Sequence, residues 1–230
     1  MKAPFVGRTL SFLLMLGVVV WWGVRVTSGK PAEPKGAFPV PAVDARLTAE
    51  KGKETAVFAG GCFWGVQGVF QHVQGVTRAT SGYAGGTVEN PYYELVSSGS
   101  TGHAESVELE YDPSQITYGK LLMIFFSVVH DPTQKDRQGP DIGTQYRSAV
   151  FYKTPEQKRI AEAYVAQINA AGVYERPIVT QLAPFTVFYA AEDYHQNYMK
   201  LHPDDPYILF NDRPKLQRLK QVFRGLYLQN

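Results

Sequence analysis

Cys62 is the only cysteine in a chain of 230 residues. It follows a short apolar run, Thr55–Ala59, and two glycines, Gly60 and Gly61. The run reads as a buried strand and the glycines as a turn, while Phe63, Val66, Phe70 and Val73 recur at helical spacing and predict a helix starting at the cysteine. Unpaired backbone N–H groups and the positive end of the dipole at a helix start favour a thiolate, the nucleophilic form of cysteine. Many lone cysteines are merely small buried apolar residues, so the neighbours matter. Phe63 fits the apolar stripe of the helix and reads equally as core. Trp64 lies off that stripe, and an indole beside a helix-start thiol is more naturally the wall of a pocket.

A second group with chemical potential is Glu105. The stretch Glu105–Tyr111 alternates as a strand, so Glu105, Val107, Leu109 and Tyr111 share one face and Ser106, Glu108 and Glu110 the other. An acid thus heads the apolar face. Either it reaches solvent at the strand end, or it is desolvated, with a raised pKa and a proton to donate at neutral pH. Tyr92, Tyr93 and Tyr146 sit in segments rich in Gly, Pro and Asn, where packing alone seldom puts tyrosine, although any one of fourteen tyrosines is a weak signal. His72, His103, His130 and His195 form no metal-ligand pattern of the His-Glu-x-x-His kind.

The elements that must position these groups follow in order. Gly75 ends the helix that starts at Cys62, and Val76–Tyr83 reads as a second strand. A polar loop over 84–103 carries one short helix near Tyr92–Ser97, and the Glu105 strand follows. Thr117 can cap an apolar helix from Tyr118 to Val129. Arg147–Tyr152 is a fourth strand, and Thr154-Pro155 with Gln157 makes a capping-box start for a helix ending near Gly172. Ile178–Tyr189 is β-rich but interrupted by Pro184, and Lys215–Leu226 reads as a terminal helix. The order β-α-β-β-α-β is that of an α+β, ferredoxin-like split βαβ core with C-terminal extensions.

Composition excludes several classes. One cysteine permits neither an internal disulfide nor a cysteine metal cluster. A hydrophobic share of 44% with 19% charged residues is that of a globular chain. The net charge of +2 comes from the first 45 residues, which hold Lys2, Arg8, Arg25, Lys30 and Lys35 against Glu33 and Asp44; the body beyond is slightly acidic. No basic footprint for nucleic acid remains. Leu10–Val24 is apolar except for Ser11 and is flanked by Arg8 and Arg25. Its length suits a signal-peptide core and falls short of an average membrane span of about 20 residues. Residues 1–29 are therefore expected to direct export, either as a cleaved signal or as a short membrane anchor through 10–24, with the domain periplasmic or anchored outside the cytoplasm. Residues 30–50, with Pro31, Pro34, Pro39 and Pro41, read as an extended linker, leaving 51–230 as the folded domain.

Seven segments resemble the A-type peptide-methionine (S)-sulfoxide reductases, in that family's order. They are Gly61-Cys62-Phe63-Trp64-Gly65, Ser81–Gly86, Asn90-Pro91-Tyr92-Tyr93, Thr101–Glu105, His130–Gln134, Gly143–Ser148 and Tyr194–Tyr198. The match runs from about Thr55 to Pro203 and implies a ferredoxin-like fold and a thiol-dependent reductase of methionine sulfoxide, free or in oxidised proteins, with no metal, flavin or nucleotide. Reducing a sulfoxide needs a soft nucleophile at sulfur and an acid at oxygen. By resemblance, Cys62 attacks sulfur, Glu105 protonates oxygen while Tyr93 and Tyr146 hold it, Phe63 and Trp64 box the S-methyl group, and Asp141 fixes the substrate backbone.

The resemblance also implies that Cys62 is left as a sulfenic acid. Many relatives carry further cysteines, often in the C-terminal tail, that resolve it. This chain has no second thiol, and Ser97 stands where some relatives have cysteine. Its reductant must be an external thiol, a thioredoxin-like protein or a small molecule. A one-cysteine thiol peroxidase, the rival enzyme reading, would need an activating Thr or Arg beside the thiol, and Gly60–Gly65 supplies neither. A catalytically dead binder of methionine side chains is opposed by the presence of Cys62, Glu105, Tyr93 and Tyr146 together.

Overall fold

The computed structural model describes Met1 and residues 34–229. The apolar stretch 10–24 lies outside the described residues; among those described, no helix is long and apolar enough to cross a membrane. The chain runs through β1 (Glu54–Gly60), α1 (Phe63–Gln71), β2 (Val76–Ala84), the short α2 (Tyr93–Ser97), β3 (Ala104–Tyr111) and α3 (Tyr118–Ile124). A two-residue pair, β4 (Arg137–Gln138) and β5 (Asp141–Ile142), precedes β6 (Ser148–Tyr152) and α4 (Pro155–Ala170). Two short strands, β7 (Gln181–Pro184) and β8 (Phe188–Ala190), then lead to α5 (Tyr198–Leu201) and α6 (Arg213–Val222).

Six strands form one mixed sheet in the order β7-β6-β1-β3-β2-β8. The central four are antiparallel, while β7 joins β6 in parallel and β8 joins β2 antiparallel at the opposite edge. The β-rich stretch around Pro184 is thus divided between the two edges of the sheet. Proline has no amide proton to give to a ladder and is confined to edges and strand ends; Pro184 is the last residue of β7. Strand alternation sends Ala56, Phe58, Val107 and Leu109 into the main core with the apolar faces of α1, α3 and α4. Val57, Ala59, Ala149 and Phe151 face a smaller cluster on the other side.

Register sets the site. Phe58 of β1 lies opposite Val107 of β3, and the strands are antiparallel, so the outgoing end of β1 meets the incoming end of β3. Glu105 is two residues before Val107 and therefore on the same, helix-covered face. Gly61 turns the chain from β1 into α1 at a φ of 87°, and a Cβ there would lie 2.6 Å from Gln138. Only glycine fits that turn.

Three local details differ from the sequence reading. The α3 helix widens after Ile124 into a π-helical turn, Phe125–Val129, in which the Ser127 hydroxyl donates back to the Met123 carbonyl at 2.6 Å. Such turns recur at functional sites. At the start of α4 the Thr154 hydroxyl accepts from the Gln157 amide as expected, but the Gln157 side chain accepts from Lys153 N–H, one residue before the cap, because its Nε2 is tied to the Thr55 carbonyl. The terminal helix ends at Val222 rather than near Leu226.

The proline-rich segment has neither helix nor strand from residue 34 to 53, yet it is strapped along the domain. The Pro39 carbonyl accepts from Tyr164 and the Val40 carbonyl from Gln167, while Phe38, Val43 and Ala45 pack on the core. Asp44 accepts from the Gly119 amide at 2.7 Å and from the Thr117 hydroxyl, so a carboxylate from the strap sits at the positive end of α3. Asp44→Ala should lower stability by about 1 kcal/mol, the usual worth of a helix cap. A urea midpoint equal to that of the wild type would show that the strap does not cap α3.

Candidate active site

One cavity of about 200 Å³ is lined by Cys62, Phe63, Trp64, Tyr93, Glu105, Asp141, Tyr146 and Tyr207. Its wall thus brings together all seven residues singled out above, from β1–α1, α2, β3, β5 and the 3-10 turn Thr144–Tyr146. Tyr92, the third loop-borne tyrosine, is exposed and takes no part. Glu105 is buried beneath the cavity and accepts a hydrogen bond from the Phe63 amide at 3.0 Å. That amide is one of the unpaired donors at the start of α1, and Cys62 is the N-cap residue of the helix.

Electrostatics changes the expectation for the thiol. Burial, followed by the Glu105 and Asp212 carboxylates, pushes the Cys62 pKa well above its usual range; the Trp64 backbone N–H and the Lys215 ammonium pull the other way and lose. The helix start does favour a thiolate, but desolvation is the larger effect, so the resting thiol keeps its proton at neutral pH. Glu105 follows the second of the two readings of its strand position: burial, with Asp141 and Asp212 adding repulsion, raises it to about 8 against the Phe63 hydrogen bond. Both groups are protonated at pH 7.

The phenols are poised as donors. Burial, then Glu105 and Cys62, push Tyr93 up to about 12, and burial and Glu105 likewise raise Tyr146. Among the described residues neither hydroxyl has a hydrogen-bond partner, so both are free to meet an oxygen in the cavity. Tyr93 is held from behind by Glu192, which accepts from the Tyr93 amide at 2.8 Å and the Tyr83 hydroxyl at 2.9 Å. Asp141 accepts a 2.5 Å hydrogen bond from Tyr207.

Several neighbours of the cavity residues carry no local sequence signal. Trp64 stacks on Tyr198 with ring centroids 3.7 Å apart and planes within 8°, and meets Tyr207 edge-on at 5.8 Å. Its indole N–H donates to His195 Nδ1 at 3.1 Å, which puts the imidazole proton on Nε2. His195 is buried, and burial lowers its pKa, keeping it neutral against Phe63 and Tyr93. Asp212 and Lys215 form a 2.9 Å ion pair that presses on the first turn of α1, where a Cβ on Gly65 would lie 2.1 Å from Asp212 Oδ1. Among the described residues no group of three potential metal ligands occurs.

Residues 54–225 match the family described as peptide methionine sulfoxide reductase. The chain belongs to this family. It is 57% identical over 179 residues to "Peptide methionine sulfoxide reductase MsrA 2" of Mesorhizobium japonicum, covering 78% of this chain and 92% of that one. It is 48% identical over 174 residues to the Thermus thermophilus protein "Peptide methionine sulfoxide reductase MsrA", covering 76% and 97%. Among solved structures, methionine sulfoxide reductase A of Corynebacterium diphtheriae superposes with a TM-score of 0.60 at 36% identity, over 75% of this chain and 89% of that one. Reduced Mxr1 from Saccharomyces cerevisiae gives 0.61 at 30% identity, over 71% and 92%. The protein is an oxidoreductase, and family membership implies methionine sulfoxide reduction.

A carboxyl with a raised native pKa stabilises the fold below its unfolded pKa and loses that contribution as pH rises through the native value. Glu105→Gln should therefore gain stability relative to the wild type between about pH 4.5 and about pH 8. A difference in denaturation midpoint that stays constant from pH 5 to pH 9 would mean that Glu105 is not held protonated.

Proposed function

We propose that the protein reduces methionine-(S)-sulfoxide, free or within oxidised proteins, by thiol attack from Cys62 with Glu105 as the acid. The observation that carries this reading is the pairing of the one thiol with a buried, protonated carboxyl at a single cavity that also holds two phenols without a hydrogen-bond partner among the described residues. The sulfoxide methyl fits against Phe63 and Trp64, since sulfur and its substituents gain modestly from aromatic rings. The sulfoxide oxygen meets the hydroxyls of Tyr93 and Tyr146. Asp141, fixed by Tyr207, is the acceptor available to a substrate amide.

In the resting site the thiol is neutral, so its proton must leave as the sulfur attacks, and Glu105, having given its own proton to the oxygen, takes it up. The thiol and sulfoxide together become a sulfenic acid and a thioether: sulfur of the substrate gains two electrons, Cys62 sulfur loses two, and the oxygen ends on Cys62. Oxide is an impossible leaving group until protonated, which is why a carboxyl with a pKa of about 8 suits the task where an ordinary glutamate would be ionised. The antiparallel order β6-β1-β3-β2 supports the split βαβ reading of the scaffold.

With a single cysteine in the chain, the sulfenic acid must be reduced by an external thiol, a thioredoxin-like dithiol or a small molecule. The apolar stretch 10–24 between Arg8 and Arg25 supports export of the domain, with oxidised proteins outside the cytoplasm as its substrates.

One turnover without reductant should release one methionine per chain and leave Cys62 one oxygen heavier, or carrying one dimedone adduct, by mass spectrometry. Cys62→Ser should do neither; methionine release by the folded serine variant would overturn the mechanism. Glu105→Gln should slow the sulfoxide step by about 10²–10⁴-fold, the usual worth of a general acid. An unchanged rate at pH 6 would refute the acid assignment.

A further inference from the structure

Cys62 faces two cavities. Besides the one it shares with Glu105, it lines a second of about 290 Å³ whose wall includes Val129, Pro140, Phe210, Lys215 and Arg218. The two cavities have only Cys62, Asp141 and Tyr207 in common. Glu105, Tyr93, Tyr146, Phe63 and Trp64 are absent from the second. The thiol therefore sits at a partition, whose other part is the hydrogen-bonded Asp141–Tyr207 pair.

We propose that this second cavity is the port through which the reducing thiol reaches oxidised Cys62, and that it is built for a small thiol bearing a carboxylate. The proposal rests on the sulfenic acid reading above. Three observations support it.

The first is direction. Displacement at divalent sulfur is in line: the incoming thiolate must approach opposite the departing oxygen. If the sulfoxide oxygen is delivered on the Glu105 side, the hydroxyl of the sulfenic acid lies there too, and attack must come from a side that does not touch Glu105. The second cavity reaches Cys62 in that way. The second observation is charge. Lys215 lines the port and is held cationic by Asp212 despite its burial, close enough to Cys62 to pull the thiol pKa down. An ammonium there favours both an arriving thiolate and a departing Cys62 thiolate. The third is the outer wall. The carboxylates present are engaged, Asp141 by Tyr207 and Asp131 by Thr133 and Gln134. Arg218 donates through Nε to the Ser127 carbonyl, and among the described residues it makes no ion pair, so its charge is available to a carboxylate on the ligand.

Two steps balance. A thiolate attacks Cys62 sulfur, the sulfur–oxygen bond breaks, and Glu105 gives its proton to the leaving hydroxide as water, leaving a mixed disulfide. A second thiolate attacks the ligand's sulfur, the exchange familiar from disulfide chemistry, and releases the symmetrical disulfide and Cys62 thiolate. Cys62 and Glu105 then take protons from solvent.

The test separates the two half-reactions. The full chain is charged with one equivalent of methionine sulfoxide and the released methionine counted; the decay of the sulfenic acid is then followed with 3-mercaptopropionate and with its neutral amide. Each rate is compared at equal thiolate concentration and divided by the same thiol's rate on a small free disulfide, which removes intrinsic nucleophilicity. The normalised rate should favour the carboxylate about tenfold at low salt, within the range of electrostatic steering, and the preference should shrink as salt is added. Arg218→Gln, which keeps a donor for the Ser127 carbonyl, should bring the ratio close to one. Equal normalised rates in the wild type, or a preference that survives Arg218→Gln, would overturn the port. Failure to release methionine in the charging step would instead overturn the sulfenic acid reading on which it rests.

Discussion

A single hydrogen bond ties the chemistry to the fold: the Phe63 amide at the start of α1 donates to the Glu105 carboxyl at the start of β3. It joins the residue after Cys62, the proposed nucleophile, to Glu105, the proposed acid, across two elements 42 positions apart in sequence. Both partners are buried, so the bond exists only if the β1–β3 register is correct to the residue. A slip of one position would turn Glu105 to the other face of the sheet. Desolvation raises Glu105 more than the amide lowers it. The site thus holds a proton on a group that is ordinarily ionised at neutral pH.

The same desolvation acts on Cys62, and it separates this site from thiol enzymes that rest as thiolates. Glu105 and Asp212 oppose a negative sulfur, and Lys215 with the Trp64 amide favours it. The balance keeps the thiol neutral until substrate arrives, and a neutral thiol is protected against adventitious oxidation. For a chain with no second cysteine that protection matters, because a sulfenic acid formed without substrate has no internal partner to restore it. The C-terminal tail supplies the counterweights: Asp212 and Lys215 sit against Gly65, and Tyr207 fixes Asp141.

Local pattern was enough to find part of this. The strand–Gly-Gly–helix sequence around Cys62, the alternation that put Glu105 on the apolar face, and the off-stripe position of Trp64 are all periodicities or turn signals that survive folding. Tyr93, Tyr146 and Asp141 needed the family's motifs, since a loop residue has no period to be read from. Tyr207, Asp212, Lys215 and the His195–Trp64 bond were illegible because they come from the chain's far end and depend on long-range packing. The division of the stretch around Pro184 between two sheet edges was hidden for the same reason: strand character is local, but the choice of partner is not. The helix start alone points to a thiolate, because the dipole is visible in the sequence and the burial that outweighs it is not.

Glu105 stores a proton at neutral pH because it is buried between β3 and the start of α1. Infrared difference spectra of wild type against Glu105→Gln, recorded across pH in the substrate-free protein, read this directly through the carboxylic acid C=O band. The expected result is a band attributable to Glu105 that persists at pH 7 and titrates away near about pH 8. A band that disappears below pH 5.5, leaving an ionised Glu105 at pH 7, would contradict the account.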